Sequence, residues 1–241
     1  NCMVIERGDT AIAVDCGVMF PEPSLMGIDL VIPDVSYLRQ LGDRFKGFVL
    51  THGHEDHLGA IPYVWGGFDV PVYATRFTAG LLEDRLGDHP ALRAKSIVTF
   101  GDGERFSVGE FEIEAVPVTH SILDAVSLAI RTHGELVIHT GDFKIDATPV
   151  DGRHFAAERF RQLGEEGVKL LLSDSTNVEN EGRSGSEALV RGMMEPMFAA
   201  TPGRVFVATF ASHVHRMAAV FSLAQQFGRK VAILGRRMES N

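Results

Sequence analysis

The stretch LTHGHEDHLGA, residues 50–60, decides how the rest of the chain is read. It follows the apolar run Phe48, Val49 and Leu50, which has the character of a buried strand. Within six positions it holds His52, His54 and His57 and the carboxylate of Asp56. Neutral imidazole nitrogen and carboxylate oxygen are the usual ligands of zinc and similar divalent ions. Histidines two apart on extended chain project to the same side, and Gly53 between them is expected to let the backbone turn tightly. A helix is expected to begin at Asp56 and His57 and to run on through Leu58, Ala60 and Ile61. Four candidate ligands in two pairs exceed what one tetrahedral ion takes from one segment, so the pattern predicts two metals. A solvated polar loop is the competing reading, and it leaves this density of histidine unexplained.

The chain of 241 residues has room for one large domain, or for one domain and part of another. Its 45% hydrophobic and 23% charged content excludes a disordered chain. No apolar run approaches the roughly 18–20 residues of a membrane span. The chain opens on Asn1, almost inside an apparent strand, and a missing front segment is expected. Cys2 and Cys16 are too few for a zinc ribbon or a disulfide scaffold and are expected to be buried free thiols in a reducing cytoplasm. A net charge of −9 argues against a general polyanion binder. The charge is uneven, however. From Arg204 onward six cations (Arg204, Arg216, Arg229, Lys230, Arg236 and Arg237) face the single acid Glu239, a net +5 that leaves −14 for the preceding part. A metal-dependent enzyme acting on nucleic acid needs such a contrast locally, although a charge run is more simply a solvated surface.

Taken in order, residues 2–6 and 10–15 read as a hairpin about Arg7, Gly8 and Asp9. The second strand ends in Asp15, a carboxylate that either points toward a site or caps a turn. The loop MFPEPSLMGIDLVIPD follows, with Gly27 and Asp29 as candidates for an additional cation, against the simpler reading of Asp29 as a turn aspartate. A short helix is expected over 36–41. Beyond the central motif, 69–74 reads as strand, 76–86 as an amphipathic helix, and 96–100, 104–108, 111–118, 126–132 and 135–140 as strands separated by glycine-containing turns. Two of these runs end in further candidate ligands, His120 in PVTH and Asp142 in IHTGD. His139 reads as a packed residue within its strand, while His89, His133 and His154 read as solvated turn residues. From Phe155 the pattern changes to helix 155–163, strand 168–172, helix 187–199, strand 205–209, helix 213–227 and strand 230–234, a parallel βαβ arrangement. The polar loop 174–186 is the expected boundary.

The form HxHxDH, with His120, Asp142 and the strand-ending Asp15, resembles the metallo-β-lactamase superfamily. The stretches MFPEPSLMGIDLVIPDVSYL, LTHGHEDHLGAIPYV, PVTHSILDAVSLAIRT, HTGDFKIDATPVDG, LLSDSTN, ATFASHVHR and GRKVAILGRRMESN narrow the likeness to its β-CASP nuclease branch and span nearly the whole chain. The resemblance implies an α/β fold: an αββα sandwich over residues 1–180, followed by the start of a parallel βαβ β-CASP domain over 181–241. It implies that His52, His54 and His120 hold one divalent metal ion, that Asp56 and His57 hold the second, and that Asp142 bridges them. Zinc is the expected metal, with manganese the alternative. Asp15 would orient the histidine loop from outside. Asp174 in LLSDSTN matches an acidic motif that shares proton transfer with a downstream histidine, so Asp56 and Asp174 are the candidate catalytic carboxylates. Ala211, Ser212 and His213 lie where the branch contacts a nucleotide. His213 stands where asparagine is frequent, and the alternative there is that Ser212 caps the following helix.

The implied activity is hydrolysis of RNA phosphodiester bonds in the cytoplasm, 5′-to-3′ exonucleolytic with endonucleolytic capacity. It would serve RNA maturation and decay, including rRNA processing, and would leave a 3′-hydroxyl on the upstream product. The resemblance further implies a homo-oligomer, dimer or tetramer, with RNA as the partner, other RNA-decay factors as associates, and no membrane. It places a last metal ligand and an acid histidine downstream of residue 241, so the segment is expected to be an inactive fragment by itself. The alternatives are a hydrolase of the same fold acting on a thioester or lactam, and a non-catalytic RNA-binding subunit.

Overall fold

The computed structural model describes residues 1–92, 95–182, 184–235 and 238–239. Strands β1 (Met3–Arg7) and β2 (Thr10–Val14) pair antiparallel as the expected hairpin, with Gly8 at φ +54° in its turn. Helix α1 (Ser36–Leu41) leads to β3 (Phe45–Val49), which lies parallel to β2. The short helices α2 (Glu55–Leu58) and α3 (Ile61–Val64) follow, then β4 (Val72–Thr75), α4 (Arg76–Arg85) and β5 (Ile97–Phe100). The first sheet runs β1-β2-β3-β4-β5 and is parallel except for its opening hairpin. The second comprises β6 (Arg105–Val108), β7 (Phe111–Pro117), β8 (Val126–Thr132), β9 (Glu135–His139) and β10 (Leu170–Leu172), with α5 (Ala157–Glu166) between the last two. Its order is β10-β9-β8-β7-β6, and only the β9/β10 pair is parallel. Helices α6 (Glu187–Ala200) and α7 (Val214–Gln226) close the described chain.

Period-two alternation along the strands sets the layers. On β2, Ala11 and Ala13 face a core that includes Leu58, Ile61 and Leu82 from the helical side. Ile12 and Val14 face the other way, onto Ile113, Leu128 and Ile130 of the second sheet. The far face of that sheet presents Val116, Ala129, Leu136 and Ile138 to Leu163 of α5. The result is helices, sheet, sheet, helix. Each fully buried aliphatic side chain in these layers contributes about 1.5–3 kcal/mol over its exposed state. Because β3, β7 and β9 end near one another along the edge between the sheets, the loops after them can converge on one place.

Several expectations differ from the structure. Segments 205–209 and 230–234 carry strand-like apolar runs but join no ladder, and Phe206 and Leu234 are 87% and 84% exposed. A strand is held by the backbone partners of a neighbour, and among the described residues neither run has one; α6 and α7 pack instead through Phe198, Leu223 and Ala224. Cys2 is exposed, because it precedes β1 at the sheet edge, whereas Cys16 is buried as expected. Of the basic run, Arg236 and Arg237 lie outside the described residues. No helix among the described residues is long and apolar enough to cross a membrane.

Candidate metal centre

The loop after β3 brings His52, His54, Asp56 and His57 to the sheet edge, the loop after β7 brings His120, and the loop after β9 brings Asp142. His52 is fully buried. Its Nδ1 lies 2.9 Å from Thr51 Oγ1, which leaves Nε2 facing His54 Nδ1 at 3.0 Å. His120 Nε2 approaches the same His54 nitrogen at 3.1 Å and Asp142 Oδ2 at 3.9 Å. His52, His54, His120 and Asp142 each place one donor atom in a common group within 4.8 Å. A second group holds Asp56, His57 and Asp142, with His57 Nε2 3.4 Å from Asp56 Oδ2 and 3.3 Å from Asp142 Oδ1. Asp142 belongs to both.

These spacings test whether cations fit. Ligand bonds of 2.0–2.1 Å in tetrahedral array set donor atoms roughly 3.3 Å apart. The donor pairs at 3.0–3.9 Å, within groups no wider than 4.8 Å, leave room for a cation in each, so the residues present suit two divalent ions.

The electrostatics of the two groups differ. Burial, reinforced by neighbouring imidazoles, pushes His52 well below its ordinary value. Burial and His54 together bring His120 down to about 4, and burial also lowers His54. These three rings are therefore neutral near pH 7 and carry free lone pairs. His57 behaves oppositely. Burial works against its charge, but the Asp15 charge, with hydrogen bonds that His57 donates to Asp142, Asp15 and Asp56, pushes it up to about 12. The same pairing holds Asp56 down at about 2, and hydrogen bonding to His57 outweighs burial at Asp142 to lower it too.

Asp15 is buried and sits at φ +60°, a region that non-glycine residues seldom occupy and that functional sites often hold at a cost. Its carboxylate accepts from Thr51 N at 2.8 Å and from Thr51 Oγ1, and lies 2.8 Å from His57 Nδ1. That contact turns His57 Nε2 toward Asp56 and Asp142. Gly17, two residues on, permits the approach of the α2 backbone: a Cβ there would lie 1.7 Å from the Asp56 carbonyl oxygen. Gly53 lies outside the left-handed backbone region. Its missing side chain instead leaves room for Leu81, whose Cδ1 a Cβ would meet at 2.5 Å.

The remaining candidates lie at graded distances. Asp174 follows β10 and accepts from Phe143 N at 3.3 Å, beside Asp142, and from Thr176 N at 2.7 Å. His213 precedes α7 without capping it, and Ser212 accepts from Val214 N through its carbonyl, so no Ser212 side-chain cap forms. His213 Nε2 stands 3.2 Å from Glu187 Oε1, and its Nδ1 is buried with no hydrogen-bond partner among the described residues. Ala211 lies in the same turn. A small cleft beside His120 is also lined by Lys144, Glu187 and His215. Gly27 and Asp29 are exposed and belong to neither donor group. His139 is half-buried and accepts from Gly141 N through Nδ1 at 3.1 Å. His133 and His154 are exposed, whereas His89 is half-buried and packs edge-on against Tyr63.

Sequence reasoning passed over Thr51, Ser121, whose Oγ lies 3.4 Å from His54 Nε2, and Asn1. A hydroxyl immediately before the first ligand is a signal for Thr51. Nothing local marks Asn1, which meets the site only through the pairing of distant segments.

A chain that carries two His/carboxylate donor groups on the inner edge of a two-sheet sandwich is of the metallo-β-lactamase type, and residues 1–163 match the family model of that superfamily. The chain belongs to the metallo-β-lactamase superfamily. Residues 202–241 match a second family model, that of the ribonuclease J β-CASP domain. Among curated relatives, ribonuclease J of Helicobacter pylori (strain ATCC 700392 / 26695) is 42% identical over 242 residues, covering 100% of this chain and 35% of the relative. Ribonuclease J of Sinorhizobium meliloti is 46% identical over 228 residues, covering 95% and 40%. That of Thermus thermophilus is 41% identical over 246 residues, covering 99% and 43%. The chain thus spans about two-fifths of the length of the relatives it matches. A solved structure of a protein of unknown function from Enterococcus faecalis V583 shares the fold, with TM-score 0.66 and 20% identity over 98% of this chain and 67% of that one.

Proposed function

We propose that this chain supplies most of the two-metal centre of a ribonuclease that hydrolyses RNA phosphodiester bonds. The observation that carries the proposal is Asp142, shared between a three-histidine group and an Asp56–His57 group, in a chain 41–46% identical to proteins named ribonuclease J. Residues 1–180 form the metallo-β-lactamase part, and 181–241 begin the β-CASP part.

In this reading His52, His54 and His120 would hold one ion, Asp56 and His57 would hold the other, and Asp142 would serve both. When bound, two such ions lower the pKa of a shared water toward roughly 7 and offset negative charge on the attacked phosphate. Asp15 fixes the tautomer and direction of His57, and Thr51 does the same for His52. The neutral state of His52, His54 and His120 keeps their lone pairs available. Asp174, anchored beside Asp142 by Phe143 N, takes part in moving the proton to the leaving oxygen together with a histidine supplied from further along the protein. The turn of Ala211, Ser212 and His213 contacts a nucleotide. Cleavage is 5′-to-3′ exonucleolytic with endonucleolytic capacity, serving RNA maturation and decay, including rRNA processing, in a cytoplasmic homo-oligomer working with other decay factors. The histidine-rich first group suits zinc, and manganese is the alternative.

The test is turnover of 5′-monophosphorylated RNA by the full-length protein, run beside a thioester substrate. His54→Ala is expected to lower RNA cleavage by about 10²–10⁴-fold, the scale on which loss of a principal catalytic group is felt. RNA cleavage unchanged by that substitution, or turnover confined to the thioester, would overturn the proposal.

A further inference from the structure

His120 is the imidazole that the second sheet contributes to the three-histidine group, and it rides on the loop 118–125 between β7 and β8. The β7/β8 ladder ends at the pair Pro117 and Val126, and one further bond, from Val118 N to Ala125 O at 3.2 Å, closes the base of the loop. Beyond that base the loop is neither helix nor strand, yet it sets His120 Nε2 3.1 Å from His54 Nδ1. A loop free to move would have to be ordered each time a cation bound.

Arg153 grips both sides of that base. Its Nη1 donates to Val118 O and to Ala125 O, each at 2.8 Å. Its Nε and Nη2 donate to the two carboxylate oxygens of Asp102, in the turn between β5 and β6, at 2.7 and 2.5 Å. The planar fork of a guanidinium makes these bonds at once, and the compact ammonium of lysine cannot. With its side chain 17% exposed and its charge matched by Asp102, Arg153 is built into this edge and is not a solvated surface cation. Other ties fix the loop at single points: Lys144 N donates to Thr119 O at 2.8 Å, and Phe77 N of α4 donates to Asp124 Oδ2 at 3.2 Å. Arg153 bonds the entrance and the exit together. The segment 143–153 brings it there, so the chain that leaves Asp142 returns to clamp the loop of His120.

We propose that Arg153 is a positioning residue for the three-histidine group: by tying Val118 to Ala125 through one guanidinium, it holds His120 Nε2 beside His52 and His54 before a cation arrives. Removing the fork leaves every ligand of that group present but moves the ordering of the loop into the binding step, which lowers affinity. Outer partners that orient a ligand directly are worth about 10–100-fold in metal affinity. Arg153 acts through the loop backbone, one step further out, so the lower end of that range is expected. The inference rests on the metal-centre reading above but needs no RNA to test it.

The experiment is titration of the metal-free full-length protein with Co²⁺ alone, read by visible absorption, whose bands report the ligand geometry about the ion. Wild type is compared with Arg153→Met, which keeps the bulk of the side chain without its donors, and with Arg153→Lys. Each is made with His120 present and in a His120→Ala background, and circular dichroism confirms the fold. With His120 present, Arg153→Met is expected to weaken Co²⁺ binding at the three-histidine group by about tenfold and to shift its bands, with a smaller loss for Arg153→Lys. In the His120→Ala background, where the loop carries no ligand, the same substitutions are expected to change affinity by less than about twofold. Losses of equal size in both backgrounds, or wild-type binding by Arg153→Met, overturn this inference alone, since an arginine that only supports the fold acts without regard to the imidazole. A wild-type protein that takes up no Co²⁺ overturns the metal-centre reading with it. Should Arg153→Met fail to fold, an Arg153→Lys protein with wild-type affinity still overturns the proposal.

Discussion

At the residue scale, the histidines of one motif are prepared for different states. His52 and His120 are held neutral by burial and by neighbouring imidazoles, whereas His57 is surrounded by Asp15, Asp56 and Asp142 and keeps its proton far above pH 7. A metal must therefore displace a proton from His57 but not from the three-histidine group. Titration calorimetry at pH 7 in buffers of different ionisation enthalpy is expected to show about one proton released as the Asp56–His57 group fills, and almost none for the other group. Release of no proton in either step would contradict the assignment. Asp15 is the second residue-scale test. Asp15→Asn keeps the size of the side chain but weakens its grip on His57 Nδ1, and should lower metal affinity by about 10–100-fold, the usual cost of losing such an orienting partner. Equilibrium dialysis measures it, and unchanged affinity would show that Asp15 only shapes the turn.

At the element scale, α5 is tied to the second sheet by two acids, its own Glu166, which pairs with Arg131 of β8 at 2.8 Å, and Glu114. Glu114 on β7 is buried and receives Arg159 of α5 at 2.6 Å and Arg131 of β8 at 3.0 Å, with Arg105 of β6 at 3.1 Å. The Arg159 hydrogen bond is the main reason its carboxyl is held down at about 2; burial opposes this, and Arg131 and Arg105 assist. Because the folded value lies below the ordinary 4.5, the stabilisation is present above that pH and is lost as pH falls toward 2. Glu114→Gln should cost about 1 kcal/mol at pH 7, since the partly exposed guanidinium groups lose one anion while Arg131 and Arg159 keep Glu166. The gap from wild type should close as the pH is lowered through that window in urea melts. A gap independent of pH would assign the loss to packing.

Most of these elements were legible because they combine a clean period with punctuation. The expected helix over 36–41 is α1, and the runs at 126–132 and 187–199 lie within one residue of β8 and α6. The expected strands at 205–209 and 230–234 failed for a physical reason: apolar alternation expresses what a strand would bury, not whether a partner edge stands beside it. Helix 155–163 sits later, at Ala157–Glu166, where α5 can bury Leu163 against the sheet. For the site, residue type and local spacing pointed to His52, His54, Asp56 and His57, and strand-end position pointed to His120 and Asp142. Asn1 and the φ +60° strain of Asp15 depend on segments 40 or more residues apart in sequence coming together, which no local pattern carries.

At the scale of the whole molecule, two sheets packed through Ile12, Ile113, Leu128 and Ile130 hold three loop ends at fixed separation, and the donor geometry follows from that packing. The sandwich keeps Asp142, delivered by the second sheet, opposite His57, delivered by the first. A two-metal centre requires that shared carboxylate to lie between two ions. Anomalous diffraction from crystals of the protein loaded with Mn²⁺ or Zn²⁺ tests it directly. Two peaks about 3.5–4 Å apart are predicted, one among His52, His54 and His120 and the other beside Asp56 and His57, with Asp142 between them. A single peak, or none within reach of Asp142, would contradict it.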